Sequence, residues 1–201
     1  MLTEEQVKNN KERFIALIRS ITREGADIDA LVNKLESSDF FTAPASTIYH
    51  SAYNGGLCAH SLNVYDNLCN LINMKFPQDC PYTSDNIVIT ALLHDISKMN
   101  FYEVAERNSK DENGNWIKVP YIKVRDNEDR FLYCTHELNS LYMVKAFIPL
   151  TLEEEVAIAN HHCNTNNGNI NSDQSAIMNR YSLLTLLHTA DILATFVDEA
   201  K

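Results

Sequence analysis

Seven side chains of metal-ligand type, His60, His94, Asp95, His136, His161, His162 and Asp191, are scattered along the chain. Each sits in or beside an apolar segment with a helical pattern. This constrains the fold more than any other feature. Imidazoles and carboxylates cost several kcal/mol to bury unless they are paired or bind a metal. The adjacent pair in Ala91-Leu92-Leu93-His94-Asp95-Ile96-Ser97-Lys98 is hard to explain as packing. Seven candidate ligands suffice for two ions that share one bridging carboxylate. Such a set points to metal-assisted hydrolysis, with a phosphoester as the best fit.

The segments between these residues read as helices. Thr3 and Gln6 form a capping box that opens an amphipathic helix from Thr3 to Ile21, with Phe14, Leu17, Ile18 and Ile21 as its stripe. A second helix runs from Asp27 to Ser37. Phe40, Phe41 and Pro44 mark an irregular buried loop. Asn54-Gly55-Gly56 is a turn signal leading into a helix that carries His60 on the edge of its inward face. Thr83, Ser84 and Asp85 offer N-cap chemistry for a nearly all-apolar central helix, Ile87 to Ile96, with His94, Asp95 and Lys98 at its C-terminal end. Residues 111–115 form a turn, and Trp116 to Val124 alternates and is β-branched, which predicts a small hairpin. His136 opens the next helix and Pro149 stops it. Thr151 with Glu154 is a second capping box, for a helix ending near His161-His162. A last helix spans about Gln174 to Glu199 and carries Leu183, Leu184, Leu187, Ile192, Leu193 and Phe196. The expected fold is all-α, with a short β-hairpin insertion.

A chain of 201 residues is long enough for a sizeable core and defaults to one domain. Its net charge of −10 disfavours a general duplex-binding face, which needs basic residues. Five cysteines, an odd number without a Cys-x-x-Cys, read as reduced thiols rather than a disulfide frame or a zinc ribbon. The N-terminus lacks the pattern of a signal peptide, and no apolar run approaches the ~20 residues of a membrane span. These features predict a cytoplasmic protein.

Imidazole together with carboxylate suits Mn, Fe, Ni or Zn better than Mg, which prefers oxygen and water. A pair of ions lowers the pKa of a bound water and clamps the attacking and leaving oxygens. Lys98 can neutralise charge that develops on a phosphoryl oxygen.

The runs Gly55-Gly56-Leu57-Cys58-Ala59-His60-Ser61, Leu92-Leu93-His94-Asp95-Ile96-Ser97-Lys98, Thr135-His136, His161-His162 and Thr189-Ala190-Asp191 together resemble the HD superfamily of metal-dependent phosphohydrolases, over residues 38 to 199. The fuller set with His136 and two further histidines is similar to its dinuclear branch, which includes the HD-GYP phosphodiesterases and the HD domain of a group of 3′–5′ exoribonucleases. The Gly-Gly-Leu-x-x-His approach is closer to the exoribonuclease type and to small bacterial and phage HD hydrolases. Ser97 stands where glycine is common before the lysine, and the Gly-Tyr-Pro signature is absent.

The resemblance implies an HD-type helical bundle over residues 38–201, with the helices of residues 1–37 packing on its core. It implies one metal held by His60, His94, Asp95 and Asp191, and a second held by Asp95, His136, His161 and His162. Asp95 and Lys98 are then the catalytic residues, with one or two divalent transition metals as cofactors. The expected reaction is attack by a metal-bound hydroxide on a phosphoester of a nucleotide or of a short single-stranded nucleic acid, without duplex DNA or a membrane as partner. The alternatives are a catalytically inactive HD-type nucleotide-sensing or scaffold domain, and a plain helical module with structural histidines.

Other positions carry blander expectations. His50 reads as a loop or supporting histidine, and His188 as a packed core histidine. Asn63 is as readily solvated as turned into a pocket. Cys58 and Cys163 read as small buried hydrophobes. The Asn-rich loop 164–171 reads as a polar connection as readily as a substrate entrance. Lys118, Lys123 and Arg125 are exposed hairpin charges. The run Glu153-Glu154-Glu155 suits a first helical turn through the helix dipole.

Overall fold

The computed structural model describes residues 2–49, 51–126, 134–163 and 172–200. His50 and the loop 164–171 lie outside the described residues. The order of elements is α1 (Glu4–Arg19), α2 (Ile28–Glu36), α3 (Gly56–Lys75), α4 (Ser84–Leu93), a 3-10 turn (Ile96–Lys98), β1 (Tyr102–Lys110), β2 (Trp116–Val124), α5 (His136–Lys145), α6 (Leu152–Asn160), α7 (Ser172–Arg180), α8 (Ser182–Leu193) and a π turn (Ala194–Asp198). The protein is therefore mostly helical, with one antiparallel hairpin running from Tyr102↔Val124 to Lys110↔Trp116.

Local chemistry sets most of the helix starts. Thr3 with Gln6, Thr83 with Asn86 and Thr151 with Glu154 form reciprocal capping boxes at α1, α4 and α6. The start of α3 depends on backbone shape instead. Gly55 has φ +80°, and a Cβ on Gly56 would stand 1.9 Å from the Ser51 carbonyl oxygen. Only glycine fits there, so the Gly-Gly pair lets the loop press against the first turn of the helix that carries His60.

The core forms two apolar clusters. Phe14, Ile18, Leu31, Leu35, Phe40, Ile89, Leu92 and Val144 belong to one, so α1 and α2 bury their stripes in the same core as α4 and α5. Leu68, Ile72, Ala157, Leu183, Leu184 and Leu187 belong to the other, formed by α3, α6 and α8. Both α3 and α4 contribute to the two clusters, and His60 and His94 ride on these shared helices. The hairpin is different. Val104 and Trp116 are exposed, and Tyr102 is buried at its base, where its hydroxyl donates to the Ala45 carbonyl. Cys58 and Cys163 are buried, and none of the five cysteines is bridged. No helix among the described residues is long and apolar enough to cross a membrane.

Two expectations need correction. The central helix ends at Leu93, not Ile96; His94 caps it and Asp95 leaves the helical region with φ −111° and ψ 17°. The expected single helix 174–199 breaks at Tyr181 (φ −120°, ψ 89°). Glu153 of α6 supplies a reason, since its carboxylate accepts the backbone N–H of Leu183 and satisfies a free donor at the new helix start. In the second half of that expected helix, Ile192 and Phe196 are exposed. At about 100° per residue they stand about 140° and about 180° around the helix from buried Leu187, so both face away from the core.

Candidate metal centre

The seven ligand-type residues come from five places in the fold. His60 lies in the second turn of α3, His94 and Asp95 follow α4, and His136 is the first residue of α5. His161 and His162 follow α6, and Asp191 lies near the end of α8. The tertiary structure brings all seven to one point, with Asp95 at the middle. Its Oδ2 stands 3.8 Å from His60 Nε2 and 3.5 Å from His94 Nε2. Its Oδ1 stands 3.6 Å from His161 Nε2 and 3.8 Å from His136 Nε2. Asp191 closes the ring, with Oδ1 3.2 Å from His60 Nε2 and Oδ2 3.7 Å from His162 Nε2. Ligand atoms fall into two trios, His60–His94–Asp95 and His136–His161–His162, each within 4.8 Å. One oxygen of Asp95 faces two histidines of each trio.

These spacings are too long for strong hydrogen bonds and suit atoms arranged around a cation. Ligands ~2.0–2.2 Å from a tetrahedral ion stand about 3.4 Å from one another. The other ring nitrogens reinforce the point. His94 Nδ1 donates to the Ala91 carbonyl and His161 Nδ1 to the Ile158 carbonyl, both at 2.8 Å. His60 Nδ1 donates to Glu199 Oε1 at 3.0 Å, and His162 Nδ1 to Glu137 Oε1 at 3.1 Å. His136 Nδ1 lies 3.4 Å from the other oxygen of Glu137. Carbonyl oxygens only accept, so Nδ1 of His94 and of His161 carries the proton and the neutral ring presents its Nε2 lone pair toward Asp95. Among the described residues, Nε2 of His94, His136 and His161 is buried and makes no hydrogen bond. Donor atoms left open and convergent in this way could hold a metal ion.

The electrostatics follow from the same packing. Burial opposes charge on Asp95, but Lys98 and the neighbouring imidazoles hold it well below the usual carboxylate range. Burial pushes His136 down to about 4 and also lowers His161. His60 moves the other way. Burial works against its charge, yet Asp191 and Glu199 raise it to about 10. An ion at His60 must therefore displace a proton.

Lys98 Nζ lies 2.6 Å from Asp95 Oδ2. The 3-10 turn, not a continuing helix, sets this contact, through the Lys98 N–H bonded to the Asp95 carbonyl. Lys98 also lines an open cleft of about 440 Å³ with Tyr49, His162, His188, Asp191, Ile192, Thr195 and Phe196. The trio with His136 and His162 is the more open one: His136 is 26% and His162 38% exposed, against 1% or less for His60, His94 and Asp95.

Several secondary positions resolve. His188 is half-buried, donates from Nδ1 to the His161 carbonyl at 2.7 Å and borders the cleft. Asn63 turns inward and donates to Glu199 at 3.0 Å. Lys118 and Lys123 pair with Glu106 and Glu103 across the hairpin, and Arg125 donates to the Tyr102 carbonyl. Two residues escaped the sequence reading: Glu137, which faces both His136 and His162, and Glu199, which faces His60. Glu137 had a signal, as the residue after a candidate ligand. Glu199 had none, since its partner is 139 residues away. Comparison with protein-family models, with curated proteins and with solved structures finds no match to this chain.

Proposed function

We propose that the protein is an HD-type, metal-dependent phosphohydrolase acting on a phosphoester of a nucleotide or short single-stranded nucleic acid. The observation that carries this reading is the convergence of five imidazole Nε2 atoms and two carboxylates on one point, with every Nδ1 turned to an acceptor. Satisfied structural histidines do not leave the buried Nε2 atoms of His94, His136 and His161 without a hydrogen bond, because an unpaired buried polar atom is costly. His60, His94, Asp95 and Asp191 would hold one ion, and Asp95, His136, His161 and His162 the other. Bound ions would supply Lewis acidity, lowering the pKa of a water and drawing charge from phosphoryl oxygens.

The protein's own groups do the rest. Asp95, kept ionised, offers one oxygen to each trio. Glu199 and Glu137 fix the tautomers of His60 and His162. Lys98 stands between Asp95 and the cleft, where it can meet a phosphoryl oxygen. The cleft lies within the ~300–1,000 Å³ typical of small-molecule sites.

The test is elemental analysis of protein purified without chelator, beside turnover of a generic phosphodiester. Wild type is expected to carry up to two transition-metal ions per chain. Asp95→Ala should lose both ions and all turnover, whereas Lys98→Ala should keep the ions and lose rate. An Asp95→Ala protein that retains full activity would sink the reading. So would failure to bind Mn, Fe, Ni or Zn after reconstitution.

A further inference from the structure

The cleft beside the candidate metal centre has a feature that the phosphoester chemistry does not use. Two large aromatic side chains stand at its open edge, Tyr49 at 73% and Phe196 at 71% exposure. Single exposed apolar side chains are ordinary. These two line the same cavity as Lys98 and Asp191, and they come from segments far apart in sequence.

Both segments are held in place. The Tyr49 N–H donates to Ser46 Oγ, and Ser51, two residues on, donates to Glu199 Oε2. Phe196 projects from the π turn, and Glu199 closes that turn through its N–H bond to the Ala194 carbonyl. One carboxylate thus ties the Tyr49 loop, the Phe196 turn and His60 together. π turns of this kind concentrate at functional sites.

Resting on the phosphohydrolase reading above, we infer that Tyr49 and Phe196 form a nucleobase-stacking subsite for a mononucleoside phosphoester whose phosphate meets Lys98. Exposed aromatic faces stack on any base, at ~1–3 kcal/mol per base by alanine substitution. The cleft's charge argues for a monomer rather than a strand. Among the described residues that line it, Lys98 is the sole lysine or arginine. A strand needs a series of cations to track its backbone.

The experiment compares equilibrium binding of adenosine monophosphate, ribose 5-phosphate and a ten-nucleotide single strand to the metal-loaded full chain, with melting curves to check folding. Both rings are exposed, so their alanine variants should fold as wild type. The nucleotide is expected to bind about ten-fold more tightly than ribose 5-phosphate. Tyr49→Ala and Phe196→Ala should each weaken it about five-fold or more. Tyr49→Phe should retain it, and ribose 5-phosphate should bind all forms alike.

Equal binding of nucleotide and ribose 5-phosphate, or alanine variants that bind the nucleotide unchanged, would overturn the subsite. A strand that binds much more tightly than the monomer would overturn the mononucleoside assignment. The metal and phosphodiester assays report on the hydrolase reading separately. A protein that passes those assays but shows no preference for the base keeps that reading and loses this one. A protein that binds the nucleotide through both rings but holds no metal does the reverse.

Discussion

Around Glu154 every polar atom ends on a partner, whereas around Asp95 the partners stop short. Both carboxylates are buried. Glu154 accepts from Arg23 at 2.8 and 3.0 Å, from Asn86 Nδ2 at 2.8 Å and from the Thr151 N–H at 2.7 Å. That carboxylate locks the connection between α1 and α2, the start of α4 and the start of α6. Asp95 has one close donor, Lys98, and four imidazole nitrogens at 3.5–3.8 Å. A buried charge built for the fold is saturated by the fold. One built for a ligand leaves coordinating atoms open, and their common focus marks where the ligand goes.

The sharpest way to break this contrast is to neutralise each carboxylate with minimal change of shape. Asp95→Asn should drop metal content and turnover to background, while Glu154→Gln leaves metal content per folded chain unchanged, both read by elemental analysis. Equal metal loss in the two variants would erase the distinction. Next in size, Glu154→Ala should destabilise by ~3–5 kcal/mol in chemical denaturation, because it strands the Arg23 charge and the Asn86 and Thr151 donors.

Glu199→Ala comes third. It removes the acceptor that fixes His60, so metal affinity should fall ~10–100-fold with the fold retained. Competition with a chelator would measure it, and the His60 trio should weaken more than the His136 trio.

The smallest effect is on the acid limb of stability. Burial opposes the charge on Glu154, but its Arg23 bond prevails and holds its pKa below the ordinary value of 4.5. A depressed carboxylate contributes fully above its unfolded pKa and loses that contribution as pH falls through the folded one. Below about pH 4.5, wild type should lose stability faster than Glu154→Gln. Parallel acid limbs would show that the pair adds nothing pH-dependent.

Much of this was legible in the sequence wherever the cause is local. The boxes at Thr3 and Thr151 and the N-cap at Thr83 need only three-residue spacing. The hairpin follows from alternation flanking a turn, and the His94-Asp95 pair stands out against its apolar run. The misreadings share the opposite character. Tyr181 interrupts a helical pattern where a carboxylate from α6 caps the new start. The run Glu153-Glu154-Glu155 reads as one helix-dipole feature. In the structure each member has its own remote partner, respectively the Leu183 N–H, Arg23 and Lys145.

The sequence by itself determined the ligand types, their order and the helices that carry them, because composition and short-range periodicity decide those. Only the tertiary structure decided that Nε2 of His94, His136 and His161 is left open and that Asp95 turns one oxygen to each trio. It alone recruited Glu137 and Glu199 and set two aromatic rings over the cleft. Those are matters of direction and distance between residues remote in the chain, and they are fixed when the two cores pack around α3 and α4.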